Sequence, residues 1–154
     1  MKRFHRPENE WIRSAITATG NAVGVAVTDA FHAGENELRL PVCVDSGAVF
    51  DAISRESLKR LKGVVVEPLE HAIQMRGATG TNSITHGAII PFYGPRGLRF
   101  TTVALVIEGA GPGVYLMGWH TQRELGLTLD ASKDTITVPD AKGQDIRIQC
   151  VRGQ

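Results

Sequence analysis

The sequence predicts an all-β domain, and three observations carry that prediction. From Ala22 onward the chain is a succession of short apolar or alternating runs, each closed by Gly, Pro, Asn or Asp. The last run alternates strictly, with Ile146, Ile148 and Cys150 on one side and Arg147 and Gln149 on the other. One of its faces is therefore buried, against this chain or a partner. Helical patterning is confined to one or two short stretches, residues 54–61 and 121–125.

The elements follow in order. Residues 22–27 (Ala-Val-Gly-Val-Ala-Val) read as a strand, 32–36 as a polar turn, and 37–44 as a second strand in which Pro41 marks an edge or an irregularity. Ser54 caps the helix 54–61, which sets Leu58 and Leu61 on one face. Residues 64–68 form a short strand broken by Pro68. Strands at 71–75 and 83–92 flank the segment 77–82 (Gly-Ala-Thr-Gly-Thr-Asn), a hairpin tip. Residues 94–97 (Gly-Pro-Arg-Gly) make a turn with proline in its favoured second place. A long strand spans 98–107, and a buried strand spans 114–117. The glycine-rich loop between them, 109–113, is followed by neither the helix start nor the lysine that a phosphate cradle needs. Gly126 ends the helix at 121–125. The tail holds a strand at 135–138, a turn at 140–143 and a strand at 146–151.

Size and charge narrow the function. A chain of 154 residues suits one domain with a real core. The reading divides it into an N-terminal arm or precursor-derived leader, residues 1–20, and a domain, residues 21–154; a short helix opening at Pro7 is an equal reading of the arm. The formal net charge of +1 gives no drive toward nucleic acid or an anionic membrane. Lys2, Arg3, Arg6 and Arg13 are diluted by Glu8 and Glu10 and read as a solvated arm. No apolar run approaches the ~20 residues of a membrane span, and the first residues lack a secretory apolar region. Two cysteines far apart, Cys43 and Cys150, fit an intracellular, cytoplasmic setting better than a disulfide-stapled one. Neither they nor His5, His32, His71, His86 and His120 have metal-ligand spacing, so no metal and no cofactor are expected.

The chemistry centres on Asp45-Ser46-Gly47-Ala48, which follows the apolar run 40–44 (Leu-Pro-Val-Cys-Val). A carboxylate at a strand end can do acid–base work on a water, the serine hydroxyl can hold the loop, and the glycine lets the chain turn. The Asp-Ser-Gly motif occurs once, so a catalytic pair needs two copies of the chain. Seventy residues on, Leu116-Met117-Gly118 precedes a helix, and the glycine-containing hairpin tip lies between. An acidic strand end, a glycine-tipped hairpin and an apolar-apolar-Gly-helix segment, in that order, resemble the retropepsin family, the aspartic proteases of retroviruses and long-terminal-repeat retrotransposons. The resemblance covers roughly residues 22–151, and its C-terminal part is closer to retrotransposon members.

That resemblance implies a retropepsin-like fold, a homodimer, and Asp45 from each protomer sharing one proton. It implies that Ser46 fixes the active loop across the dimer axis and that Gly47 keeps the backbone close to substrate. Ala48 and Val49 stand beside the substrate. Gly77, Ala78, Thr79 and Gly80 form a flap that closes over an extended peptide, and Leu116 lines a pocket. The implied substrate is a polyprotein. The rival reading is a retropepsin fold without activity, serving as a dimerisation or peptide-binding module. It draws on two departures: Val49 stands where many viral members have a second aspartate, and Trp119 where they have an arginine. Asp51 either replaces the lost aspartate or points to solvent. Gly118 is expected to let the chain pass close to the catalytic loop. A shared-proton dyad implies activity at mildly acidic to near-neutral pH.

Overall fold

A computed structural model of the chain describes residues 25–27, 30–45, 48–77, 80–108 and 115–151. The N-terminal arm lies outside the described residues. Twelve strands are formed among them: β1 (Val25–Val27), β2 (His32–Ala33), β3 (Leu38–Arg39), β4 (Val42–Val44), β5 (Asp51–Ser54), β6 (Val65–Gly77), β7 (Gly80–Tyr93), β8 (Arg99–Ile107), β9 (Tyr115–Met117), β10 (Thr128–Asp130), β11 (Thr135–Pro139) and β12 (Asp145–Gln149). Two short helices accompany them, α1 (Arg55–Lys59) and α2 (Trp119–Leu125). The all-β expectation holds.

Nine of these strands share one curled sheet in the order β1-β4-β9-β5-β8-β7-β2-β3, with β6 paired to β7. A second sheet runs β10-β11-β12. The main core lies between them. Ile136, Ile146, Ile148 and Cys150 from the second sheet pack with Phe31, Ile53, Ile90, Phe92, Val106 and Tyr115 from the first. The alternation in β12 is thus satisfied within this chain. Phe92 stacks on Phe100 at 5.2 Å and meets the edge of Tyr115 at 4.8 Å. Leu58 of α1 and Leu61, just beyond its end, are buried in the same core.

Several boundaries differ from the sequence reading. The strand expected at 37–44 splits into β3 and β4. Pro41 donates no hydrogen bond, and its carbonyl instead accepts from Tyr115 N–H at 2.8 Å. The strand expected at 64–68 does not end at Pro68. It continues through β6 to Gly77, because β7 pairs with both of its halves across a register shift between Pro68 and Ile73. The second helix starts at Trp119, two residues early, and ends at Gly126, whose φ of 67° is left-handed and suits a residue without a Cβ. The first is shorter than expected, five residues capped by Ser54, whose Oγ accepts from Ser57 N–H at 3.2 Å. Ser54→Ala should cost about 1 kcal/mol, read as a Tm lower by about 2–4 °C. Among the described residues no helix is long and apolar enough to cross a membrane.

Candidate active site

The site is built where β9 threads between β4 and β5. It runs parallel to β4, with Cys43 opposite Leu116, and antiparallel to β5, with Ala52 opposite the same Leu116. The chain therefore leaves β4, crosses the end of β9 and returns as β5 on its other side. Asp45 stands at the start of that crossing and is 7 % exposed. Its N–H donates to the Met117 carbonyl at 3.1 Å, and its own carbonyl accepts from Ala48 N–H at 3.2 Å. Backbone bonds thus hold the turn. Ser46 and Gly47 lie outside the described residues.

The second half of the crossing rests on the start of α2. The Ala48 carbonyl accepts from Trp119 N–H at 2.6 Å, and the Val49 carbonyl accepts from His120 N–H at 3.3 Å. These N–H groups have no partners inside the helix, so the loop completes the helix end. The Phe50 ring lies 5.7 Å from the His120 ring. At Gly118 a Cβ would sit 2.6 Å from the Phe50 carbonyl oxygen and 3.0 Å from that of Ala48. The expectation that Gly118 admits a close backbone approach is met.

Strand alternation separates two faces of the β4-β9-β5 layer. Val42, Val44, Ile53, Tyr115 and Met117 enter the main core. Cys43, Ala52 and Leu116 enter a smaller cluster with Ala48, Ile84, Leu105 and Ile107, flanked by Phe50, Leu69 and Ile73. Ile73 and Ile84 are paired residues of the β6-β7 hairpin. The structure therefore brings Ala48, Leu116 and the stem of the expected flap onto one apolar cluster. Leu116 is fully buried there, and Val49 is half-buried. Gly77 and Gly80 pair with each other at the hairpin tip. Ala78 and Thr79 lie outside the described residues.

Asp51 is where sequence reasoning stopped short. It faces neither solvent nor the smaller cluster. It is 2 % exposed, and alternation puts it on the same side as Ile53. Three donors converge on it. Tyr115 O–H and Thr121 Oγ1–H donate to Oδ2, the latter at 2.7 Å, and Gly118 N–H donates to Oδ1 at 2.7 Å. It therefore does not take the place of the missing aspartate. A carboxylate inside an apolar strand, and a tyrosine in another, were the sequence signals that such a buried pair must find partners.

Burial pushes the Asp51 carboxyl up to about 6, against the downward pull of its bonds from Tyr115, Thr121 and Gly118. Burial and the neighbouring Asp51 charge push the Tyr115 phenol upward as well. With the folded value above the unfolded 3.8, the folded chain holds the extra proton between the two. Stability is then fullest below about pH 4 and declines as pH rises toward 6, by on the order of 3 kcal/mol. Asp51→Asn should flatten that decline, a difference read directly from Tm against pH for the two proteins.

Among the described residues no group of three or more His, Cys, Asp or Glu side chains could hold a metal ion. No family model matches the chain, and no curated protein matches it. Solved structures do. The retroviral protease-like domain of Ddi1 from Leishmania major superposes with a TM-score of 0.55 at 17% identity, over 81% of this chain and 95% of that one. The EIAV protease, solved in complex with the inhibitor HBY-793, superposes with a TM-score of 0.50 at 21% identity, over 67% of this chain and 90% of that one. The threaded β9, the long hairpin and the glycine contact beneath the Asp45 loop, with these two likenesses, give the chain the retropepsin-like aspartic protease fold.

Proposed function

We propose that this chain is an aspartic endopeptidase, active as a homodimer in which each protomer contributes Asp45. One observation carries the reading: Asp45 sits nearly buried on a loop braced from beneath by Met117, Gly118 and the start of α2. One carboxyl group cannot be base and acid in the same step. Two that share a proton can: the ionised one takes a proton from water, and the protonated one gives its proton to the scissile carbonyl oxygen. Ser46 and Gly47 complete that loop in each protomer. The substrate is an extended peptide, a segment of a polyprotein, lying between the loop and the flap. Its backbone passes Ala48 and Val49, and Gly77, Ala78, Thr79 and Gly80 close over it. Leu116 and its cluster back the side-chain pockets.

The second reading, a peptide-binding or dimerisation module without activity, is favoured by the uncharged pair beside the loop. Val49 is half-buried and Trp119 is 51 % exposed, and neither carries a charge to grip a peptide backbone. Cleavage of a denatured protein at pH 5–6, followed across a dilution series with sedimentation in parallel, separates the two. The expected result is cleavage that weakens above about pH 8, with specific activity that falls as the dimer dissociates. Activity from a species that sediments as a monomer at every concentration would sink the shared dyad. A folded dimer without cleavage would favour the module.

A further inference from the structure

We propose that Asp51 is a positioning residue of the Asp45 site, the common acceptor that seats Gly118 and the start of α2 against the backbone of residues 48–50. The proposal rests on the enzymatic reading and adds a residue to it. The geometry is that of a clasp. Asp51 ends the crossing loop and begins β5, and its three donors come from β9, from the residue after it and from α2. Those partners are 64–70 residues away in sequence. The same short segment that Asp51 holds donates the Trp119 and His120 N–H groups to the Ala48 and Val49 carbonyls. Loosening Asp51 therefore loosens the support beneath the loop that starts at Asp45.

The network also has two hydrogen-bonding states. Thr102, on β8, lies within hydrogen-bonding reach of the Tyr115 phenol, and its buried Oγ1 has no other hydrogen-bond partner among the described residues. With Asp51 ionised, all three donors point at the carboxylate and the bonds are charge-assisted. With Asp51 protonated, one oxygen must donate. Tyr115 can accept that proton's bond and turn its own O–H to Thr102 Oγ1. The ionisable groups acting on Asp51 are Tyr115 from β9 and Glu124 from α2; β8 faces it with Ala104 in register. Glu124 opposes ionisation, and no cation among the groups acting on Asp51 favours it. The seated form of the loop is thus the one above the Asp51 titration, near pH 6.

Three proteins test this: wild type, Asp51→Asn and Asp51→Ala. An asparagine keeps an acceptor for Gly118 and offers donors to Tyr115 and Thr121, so it holds the network without titrating. Alanine leaves three buried donors unmatched. In Asp51→Ala, kcat should fall about 10- to 100-fold with KM changed less than about threefold. The Trp119 and His120 amides should exchange at least about tenfold faster relative to those of β11 and β12, where global unfolding alone would move both sets together. Asp51→Asn should restore both readouts. The wild-type Gly118 amide resonance should move in one step near pH 6, and that step should be missing in Asp51→Asn but kept in Asp45→Asn. Relative to pH 7, Asp51→Asn should keep more of its kcat at pH 5 than wild type does. If Asp51→Ala does not fold, the titration and the pH profile of Asp51→Asn decide.

The proposal is overturned by a Gly118 resonance without a step, by unchanged amide exchange in Asp51→Ala, or by faster exchange with wild-type kcat. A wild type that never cleaves overturns the enzymatic reading alone, because exchange and titration still decide whether Asp51 seats the loop.

Discussion

Asp45→Asn is expected to remove cleavage while leaving the fold in place. The turn at Asp45 is held by its backbone, through Met117 and Ala48, and asparagine keeps both bonds. What it loses is the proton chemistry, since an amide neither takes a proton from water nor shares one with a second carboxyl. General acid–base groups contribute roughly 10²–10⁴-fold, and the loss should be at least of that size. Mixing makes the test sharper. If wild type and variant exchange subunits freely at equal concentrations, about a quarter of the dimers carry two aspartates. Activity should then fall to about a quarter of that of an all-wild-type sample at the same total concentration. A fall to half means that each protomer acts alone, and the composite site is wrong.

Gly118→Ala is expected to lower stability sharply. Its added Cβ meets the Phe50 carbonyl carbon at 2.7 Å and the Phe50 oxygen at 2.6 Å, which are backbone atoms of a loop bonded to α2 on one side and continuous with β5 on the other. Relief requires moving that loop away. The bonds from Gly118 to Asp51, and from Trp119 and His120 to the loop, would stretch with it. Overpacking in a filled core costs about 1–3 kcal/mol, and the strained bonds put this case at the upper end or beyond. At about 3 kcal/mol the Tm should drop by about 6–12 °C. A thermal melt within 2 °C of wild type, about the effect of 1 kcal/mol or less, would mean that the loop yields freely.

The fold was legible because its signals were local. The alternation of Ile146, Ile148 and Cys150, the turn residues around each strand and the Ser54 cap each acted within a few residues, and each reappears in the structure. Pro41 was read correctly as an irregularity, whereas Pro68 was read as the break that ends a short strand, and their consequences differ. One separates two strands, and the other sits inside a single strand because a long partner pairs with both sides of it. The order Asp45, hairpin, Gly118 was legible for the same reason. Asp51 was not. All four residues of β5 are buried, since the strand lies between β8 and β9 with apolar clusters on both faces. Alternation then has no wet side to reveal, and the partners that satisfy Asp51 are distant in sequence. A carboxylate's surroundings are set by tertiary packing, which periodicity does not encode.

The threading of β9 between β4 and β5 also fixes when the site can exist. As the chain is synthesised, β6 and β7 are neighbours and can fold as a local hairpin while later residues are still being added. The Asp45 loop has no such option. Its support, from Tyr115 to Thr121, emerges 64–70 residues after Asp51, a delay of roughly 3–14 s at ribosomal rates of 5–20 residues per second. Parallel pairing of β4 with β9 adds the closure of a long loop, which is slow in its own right. A growing chain that carries Asp45 but has not reached α2 has no seated loop, and a chain cut short before Tyr115 never acquires one.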